Sequence, residues 1–443
     1  MKKIYSSLPG LVFSSWLCCP IANSATPLNN RTEDDGSERY KSLETLARGL
    51  FYLETMYVDP DRVKESELVH NALKGVVDKL DPHTMFMPAK AFVQMTSDTQ
   101  GKFGGVGIIV SEERGKIIVV SPIEDTPADK AGVKAGDEII EIDDTPIAKM
   151  KVSNPVDSMR GDPGSVMKLT ITRKNVPNPI HFKLVREIIK VKSVRSIPLD
   201  NGVIYVRISS FQENTGEELE AILSKNSDGL KGLVLDLRDN PGGLLDQAVS
   251  VSDLFIESGI IVSTVGRNRD KVEREFARKR GTFSNFPIVV LVNGGSASAS
   301  EIVAGCLQDH ERALIVGTTS FGKGSVQTLM SLPDGSGIKL TVARYYTPKD
   351  RSIQAKGISP DIVVAATTSP DTAAPQNSGL KKESDLKGHI ESDDLSEMAS
   401  TQSITAAIKK WNEPMQKDPQ LTTAFTYLKS YSLFERRNMR DRK

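Results

Sequence analysis

The chain has 443 residues, enough for two or more domains. Its 57 basic residues balance 57 acidic ones, so no net field draws it to nucleic acid or an anionic membrane. Aromatics are only 6%, too few for base-stacking platforms.

Lys2 and Lys3 give a positive start, an apolar run (LPGLVFSSWLCC, residues 8–19) follows, and small residues stand at Ala22, Ser24 and Ala25. That order predicts a secretory signal peptide over residues 1–25, because the run is shorter than the roughly 18 apolar residues a spanning helix needs. An uncleaved signal-anchor is the alternative, since the cleavage site is not a clean A-x-A. The expected location is therefore beyond the inner membrane, in the periplasm. Removal of Cys18 and Cys19 leaves Cys306 as the one cysteine, so no internal disulfide is expected. Cys306 lies in an apolar helical run (IVAGCL) and reads as packing.

Residues 26–39 are polar and without periodicity, and read as a disordered lead-in. From Tyr40, the apolar residues Leu43, Leu46, Ala47, Leu50, Phe51 and Leu53 recur at helical spacing. A second helix is expected over about 65–80, ending before Asp81-Pro82. Together they give an N-terminal helical region over 40–100, a hairpin suited to a cap or to contacts in a homodimer or higher oligomer. Residues 101–190 change to short β-branched runs at 106–110, 116–120, 138–142, 166–172 and 180–185, with short helices at 126–131 and 153–159. From residue 191 to 367 strands and helices alternate: strands at 202–206, 232–236, 287–292 and 313–316, helices at 215–223, 244–255 and 297–308. Continuous apolar strands between helices predict a mainly parallel sheet covered on both faces, an α/β core in a multi-domain chain. Residues 368–404 read as a flexible linker and 405–443 as a helical tail.

In the β-rich module, Gly104-Gly105-Val106-Gly107-Ile108 leads into a strand. Clustered glycines let consecutive N–H groups face an anion such as a terminal carboxylate, and the strand edge that follows can pair with an extended peptide. The run from Ser121-Pro122 through Ala131-Gly132-Val133-Lys134-Ala135-Gly136-Asp137 resembles a PDZ domain of the circularly permuted bacterial type. The resemblance implies a tail-binding groove formed by Gly105, Val106, Gly107 and Ile108 opposite the helix near 153–159. It also implies a tail-sensing role for Arg160, which otherwise reads as a solvated surface arginine.

Two segments carry the chemistry. In NGGSASASE (residues 293–301), Ser298 stands between a strand and a helix, where helix N–H groups can stabilise an oxyanion. Ser298-x-x-Glu301 is equally a capping box. In GTTSFGKGSVQ (residues 317–327), Lys323 lies in a glycine-lined loop. A lysine can deprotonate a serine only if its pKa falls from about 10.4 toward 7 or 8, roughly 4 kcal/mol of disfavoured charging that a closed apolar pocket can supply. Phe321 is a candidate wall, and Gln327 can orient the amine without adding charge. The loop nearly matches a phosphate-binding loop, but Gly324 stands where Ser or Thr should hold magnesium and a strand follows, which excludes nucleotide.

VLDLRDNPGG (residues 234–243), NGGSASASE and GTTSFGKGSVQ, with LDPHT (residues 80–84) and the PDZ run in order, together resemble the carboxyl-terminal processing, or tail-specific, serine peptidases. The resemblance spans about residues 40–365. It implies a crotonase-like αβ core, Ser298 as nucleophile, Lys323 as general base, Gln327 as its orienting partner, and an oxyanion hole from Ala299 with Gly242 or Gly243. It implies protein substrates with apolar C-terminal tails, and leaves open whether an adaptor delivers them. A Ser/His/Asp triad has only His83 as a candidate, and that residue reads as support for its own loop. No His or Cys cluster suits a metal, and no cofactor is expected. The alternative function is a PDZ-based binding or scaffold protein with an inactive peptidase core.

Overall fold

A computed structural model of the chain describes residues 34–113, 115–150, 154–366, 381–391 and 418–441. The predicted signal peptide, most of the lead-in and most of the linker lie outside these residues. Contacts divide the chain into two compact units, Met1–Asn71 and Ala72–Lys443. The first holds helix Asp34–Met56 and the start of helix Glu65–Val77. Helix therefore begins six residues inside the expected lead-in, because its polar first turns take their helicity from the amphipathic continuation. Among the described residues no helix is long and apolar enough to cross a membrane.

In the second unit, the centre is a six-stranded sheet in the order Val194–Pro198, Val203–Ile208, Gly232–Asp236, Ile288–Val292, Ala313–Gly317, Ile362–Val363. All neighbours are parallel except the first pair. Alternation along the strands gives each face its own core. Leu233, Leu235, Ile288, Val290 and Val292 pack with Leu219, Val251, Val303 and Leu307 of the helices Thr215–Lys225, Leu245–Asp253 and Ala299–Asp309. Val234, Val289, Leu291 and Val316 pack with Ala424 and Leu428 of the terminal helix Pro419–Asp441. The sheet is thus α/β and covered on both faces, the second by the tail. Arg238, just past strand Gly232–Asp236, pins that tail by bonding Asp418 (3.1 Å) and Gln420 (2.9 Å) as well as Asp236. Cys306 is fully buried in helix Ala299–Asp309, and burial pushes its thiol up to about 12, so it is packing.

The sequence reading lacked a second sheet. Met85–Met87, Gly337–Tyr346, Ile260–Gly266 and Val272–Phe276 pair in that order, and Ser325–Ser331 pairs with Gly337–Tyr346, all antiparallel. Only Ser325–Ser331 was expected as a strand. Val272–Phe276 is exposed and Gly337–Tyr346 largely half-buried, and Met85–Met87 and Ile260–Gly266 join the sheet only by pairing with Gly337–Tyr346 across long sequence separations. Helix Ala89–Thr99 falls within the N-terminal helical region expected over 40–100, though its own bounds were not drawn.

The β-rich module is a six-stranded sheet whose path runs Ile108–Glu113, Lys116–Pro122, Glu138–Ile142, Val166–Thr172, Ile180–Val185. Its entry and exit are zipped together by the pair Lys102–Gly105 and Glu187–Lys190, so it forms an insertion with adjacent ends. Residues 381–391 correct the linker expectation. They fold against the core around a short 3-10 turn, Glu383–Asp385, with Glu383 buried. Polar contacts hold them, which a reading based on hydrophobicity overlooks.

Leu428 is 2% exposed between the tail helix and the sheet. Leu428→Ala should therefore cost about 2–5 kcal/mol, read as a fall in the urea unfolding midpoint.

Candidate active site

Strand Ile288–Val292 ends in a turn tied by its own side chains. Asn293 Oδ1 accepts the N–H groups of Asp239 (2.9 Å) and Gly295 (3.0 Å). Ser296 is fully buried; its hydroxyl donates to the Leu237 carbonyl (2.8 Å), and Ser300 donates to the Asn240 carbonyl (2.9 Å). Both serines are thereby committed to the fold. Ser298, between them, is only half-buried and is the N-cap of helix Ala299–Asp309 at φ 55, ψ −114. A non-glycine residue in that region stores about 1–3 kcal/mol of strain, which persists because the surroundings over-determine it.

The Gly242 backbone closes on this serine beside the Ala299 amide. A Cβ on Gly242 would lie 2.8 Å from Ser298 Cβ and 3.0 Å from Ala299 N, and the glycine's φ of +99° disfavours a side chain independently. Gly242 is thus the close wall of the site, but its own N–H is taken by Asn240 Oδ1 at 2.9 Å. The N–H groups of Ala299 and Gly243 find no acceptor among the described residues. Of the two glycines, Gly242 thus has its N–H engaged and Gly243 does not.

Lys323 is brought to the serine by Glu301. This fully buried carboxylate accepts Ser298 N–H (2.8 Å) and Lys323 N–H (2.9 Å) on one oxygen, and Gly322 N–H (2.7 Å) and the Ser320 hydroxyl (2.5 Å) on the other. The carboxylate half of the capping box therefore exists, and the same group also anchors the lysine loop. Burial pushes Glu301 up to about 7, against the four donors that favour its anion. Tyr345, fully buried, donates its hydroxyl to the Lys323 carbonyl. Burial, then the charge of Lys339, lowers the Lys323 ammonium to about 8, while Glu383, Glu301 and Asp81 oppose the shift. Serine and lysine backbones are thus held together by one carboxylate, with a phenol bracing the lysine loop.

Gln327 does not bond Lys323. Its amide donates to Ser325 Oγ (2.9 Å), the Ser325 carbonyl (3.2 Å) and Thr341 Oγ1 (3.4 Å). The expected direct orienting contact is absent because Thr341 and Ser325 engage the amide. Thr341 in turn donates to Asp81, which also takes the Thr84 hydroxyl and the N–H groups of His83 and Thr84. His83 supports structure, as expected, through a bond to Glu383 rather than to Ser298. Among the described residues no His, Cys, Asp or Glu cluster could hold a metal ion.

In the β-rich module, Gly105 ends a strand, and buried Val106 packs in the module core. Gly107, at φ +77, leads into strand Ile108–Glu113, and a Cβ there would lie 2.3 Å from Thr126. The Val106 and Gly107 N–H groups have no acceptor among the described residues, and strand Ile108–Glu113 stands at the end of its sheet with one edge open. Ile108 and Val110 share a cluster with Met159 of helix Asn154–Met159. Arg160, which follows that helix, is not a free solvated arginine. It bonds Asp98 of helix Ala89–Thr99 at 2.9 Å and stacks 4.8 Å above the Phe103 ring.

A sequence model of Peptidase family S41 matches residues 202–364, and a PDZ-domain model matches residues 104–197. The chain is similar to a carboxy-terminal-processing protease of Bartonella bacilliformis, 47% identical over 406 residues, covering 90% of this chain and 91% of that one. The chain belongs to the carboxy-terminal-processing proteases of peptidase family S41. It is also similar to the carboxy-terminal processing protease CtpA of Bacillus subtilis, 35% identical over 82% of this chain and 77% of the relative. Among solved structures, the photosystem II D1 C-terminal processing protease is 31% identical over 75% of this chain and 88% of that one, with a TM-score of 0.45.

Within this protease the serine and lysine segments were legible in the sequence, but the groups that join them were not. Glu301 carried a signal, its capping-box position, that pointed only to a helix. Asn240 lies in the VLDLRDNPGG motif but its side-chain role was not read there, and Tyr345, from a distant strand, carried no signal. Glu301→Ala would strand three amides and one hydroxyl in a buried site. It should cost about 3 kcal/mol or more of stability, measured by urea unfolding, with peptidase activity lost in the fraction that remains folded.

Proposed function

We propose that this protease is a serine endopeptidase in which Ser298 is the nucleophile, Lys323 the general base, and the PDZ domain the reader of substrate C-terminal tails. The observation that carries the reading is the shared Glu301 carboxylate, which fixes the backbones of Ser298 and Lys323 side by side. Neutral Lys323 takes the Ser298 hydroxyl proton as Oγ attacks the scissile carbonyl carbon. The N–H groups of Ala299 and Gly243 receive the oxyanion. Collapse of the tetrahedral intermediate breaks the C–N bond, and the Lys323 ammonium returns the proton to the leaving amine. Water, deprotonated by the same amine, then releases the acyl group from Ser298. Gln327 and Thr341 brace the strand that follows the lysine loop.

The tail lies as an added strand on Ile108–Glu113, its terminal carboxylate on the Val106 and Gly107 amides and its apolar side chains toward Met159. Arg160 reports tail binding to the core, a reading supported by its bond to Asp98 of helix Ala89–Thr99. The protease works in the periplasm, reached by an export signal in residues 1–25.

The test is an unfolded substrate ending in an apolar tail, incubated with wild type, Ser298→Ala and Lys323→Ala, and followed by mass spectrometry. Tail-dependent cleavage should vanish in both variants while tail binding persists, and the enzyme's mature N-terminus should fall after residue 25. Equal cleavage by Ser298→Ala would sink the assignment. Lys323 acts as a base when neutral, and burial favours its neutral form. The kcat/KM profile should therefore rise with pH to a plateau above an apparent pKa of about 8. Gly242→Ala should lower kcat about 100-fold or more with tail binding unchanged, because the added methyl fills the space beside Ala299 N.

A further inference from the structure

Residues 381–391 lie beyond the matched peptidase region, which ends at residue 364, yet they form part of the wall of the lysine loop. Glu383 is 0% exposed. Its N–H donates to the Phe321 carbonyl (3.2 Å), two residues before Lys323. Its carboxylate accepts the His83 Nε2–H at 2.9 and 2.7 Å and the Gln354 amide at 3.0 Å. Gln354 completes the circuit: its Oε1 accepts the Gly324 N–H (2.9 Å), directly after Lys323, and its amide also donates to the Ile390 carbonyl (2.8 Å). The loop 321–324 is therefore gripped from the helix side by Glu301 and from the opposite side by Glu383 and Gln354.

We propose that Glu383 is a positioning residue of the catalytic site, clamping the Lys323 loop through Gln354 and the Phe321 carbonyl, with His83 fixing its carboxylate. The segment 381–391 thereby completes the active site from outside the peptidase core. A carboxylate buried this fully costs several kcal/mol unless paired, and His83 and Gln354 supply the partners. The charged and titratable groups facing Glu383 are His83 from the 81–84 loop, Lys323 from the lysine loop and Tyr345 from strand Gly337–Tyr346. On its own turn, Asp385 takes the Lys382 N–H. Around Lys323 itself stand Lys339, Glu301 and Asp81. Glu383 thus contributes position through hydrogen bonds and a negative charge that favours the Lys323 ammonium.

The proposal rests on Ser298 and Lys323 being nucleophile and base, so the test reads that pair directly. The rate of Ser298 phosphonylation by a fluorophosphonate is followed by intact mass against pH in the full chain. Glu383→Ala should lower the plateau rate about 10- to 100-fold, with PDZ tail binding retained as the check on folding. Glu383→Gln, which keeps the shape and guards against loss of fold, should move the acid limb to lower pH, because removing the charge makes the ammonium easier to deprotonate. Glu383→Asp keeps the charge and should leave the limb in place. An unchanged plateau and limb in Glu383→Ala and Glu383→Gln would overturn the proposal, and so would a lowered plateau with an unmoved limb, the mark of ordinary packing. Lys323→Ala labelled with the wild-type rate and profile would overturn the Ser298/Lys323 assignment and the clamp with it.

Discussion

One buried carboxylate organises the catalytic region. Glu301 receives four hydrogen bonds, and their donors come from the serine turn and the lysine loop, which the chain places more than twenty residues apart. An unpaired carboxylate in that position would be prohibitively costly. The helix can therefore keep Glu301 inside only if the 320–323 loop closes over it. The serine's backbone and the lysine's approach are both tied to that closure.

The remaining constraints are arranged around it at different depths. The six-stranded sheet supplies rigid strand ends from which the serine turn and the Asp236–Asn240 segment project. The terminal helix covers the sheet's far face, so a tail distant in sequence supports the platform beneath the site. The antiparallel sheet carries Tyr345, Thr341 and Lys339, which face the lysine loop from another direction. Holding a lysine near neutrality and a serine in a strained conformation costs several kcal/mol in all. A core with buried residues on both faces of the sheet offsets that cost, with no disulfide among the described residues.

What the sequence disclosed follows from how local each signal is. Strands such as Gly232–Asp236, Val166–Thr172 and Ile180–Val185 match their expected bounds because their apolar patterns are self-contained. The serine and lysine stand in compact glycine-rich motifs and were found by chemistry and by resemblance. Ile260–Gly266 and Gly337–Tyr346 were missed although Ile261, Val262 and Tyr345 are buried, because the pairing that aligns them joins segments distant in sequence. That the Gly242 N–H is already engaged is visible only with the Asn240 side chain in place, and the contact expected of Gln327 gave way to Ser325 and Thr341. Residues 381–391 looked like linker because Glu383, the residue that docks them, is polar.

The central claim is that burial makes Lys323 a base at working pH, and its own titration tests this most directly. Lysine Cε can be labelled with carbon-13 and the Lys323 resonance assigned by its loss in Lys323→Arg. A midpoint of about 8 is the predicted result. A midpoint near the ordinary lysine value of about 10.4 would contradict the account, because such an amine would stay protonated when Ser298 needs a base.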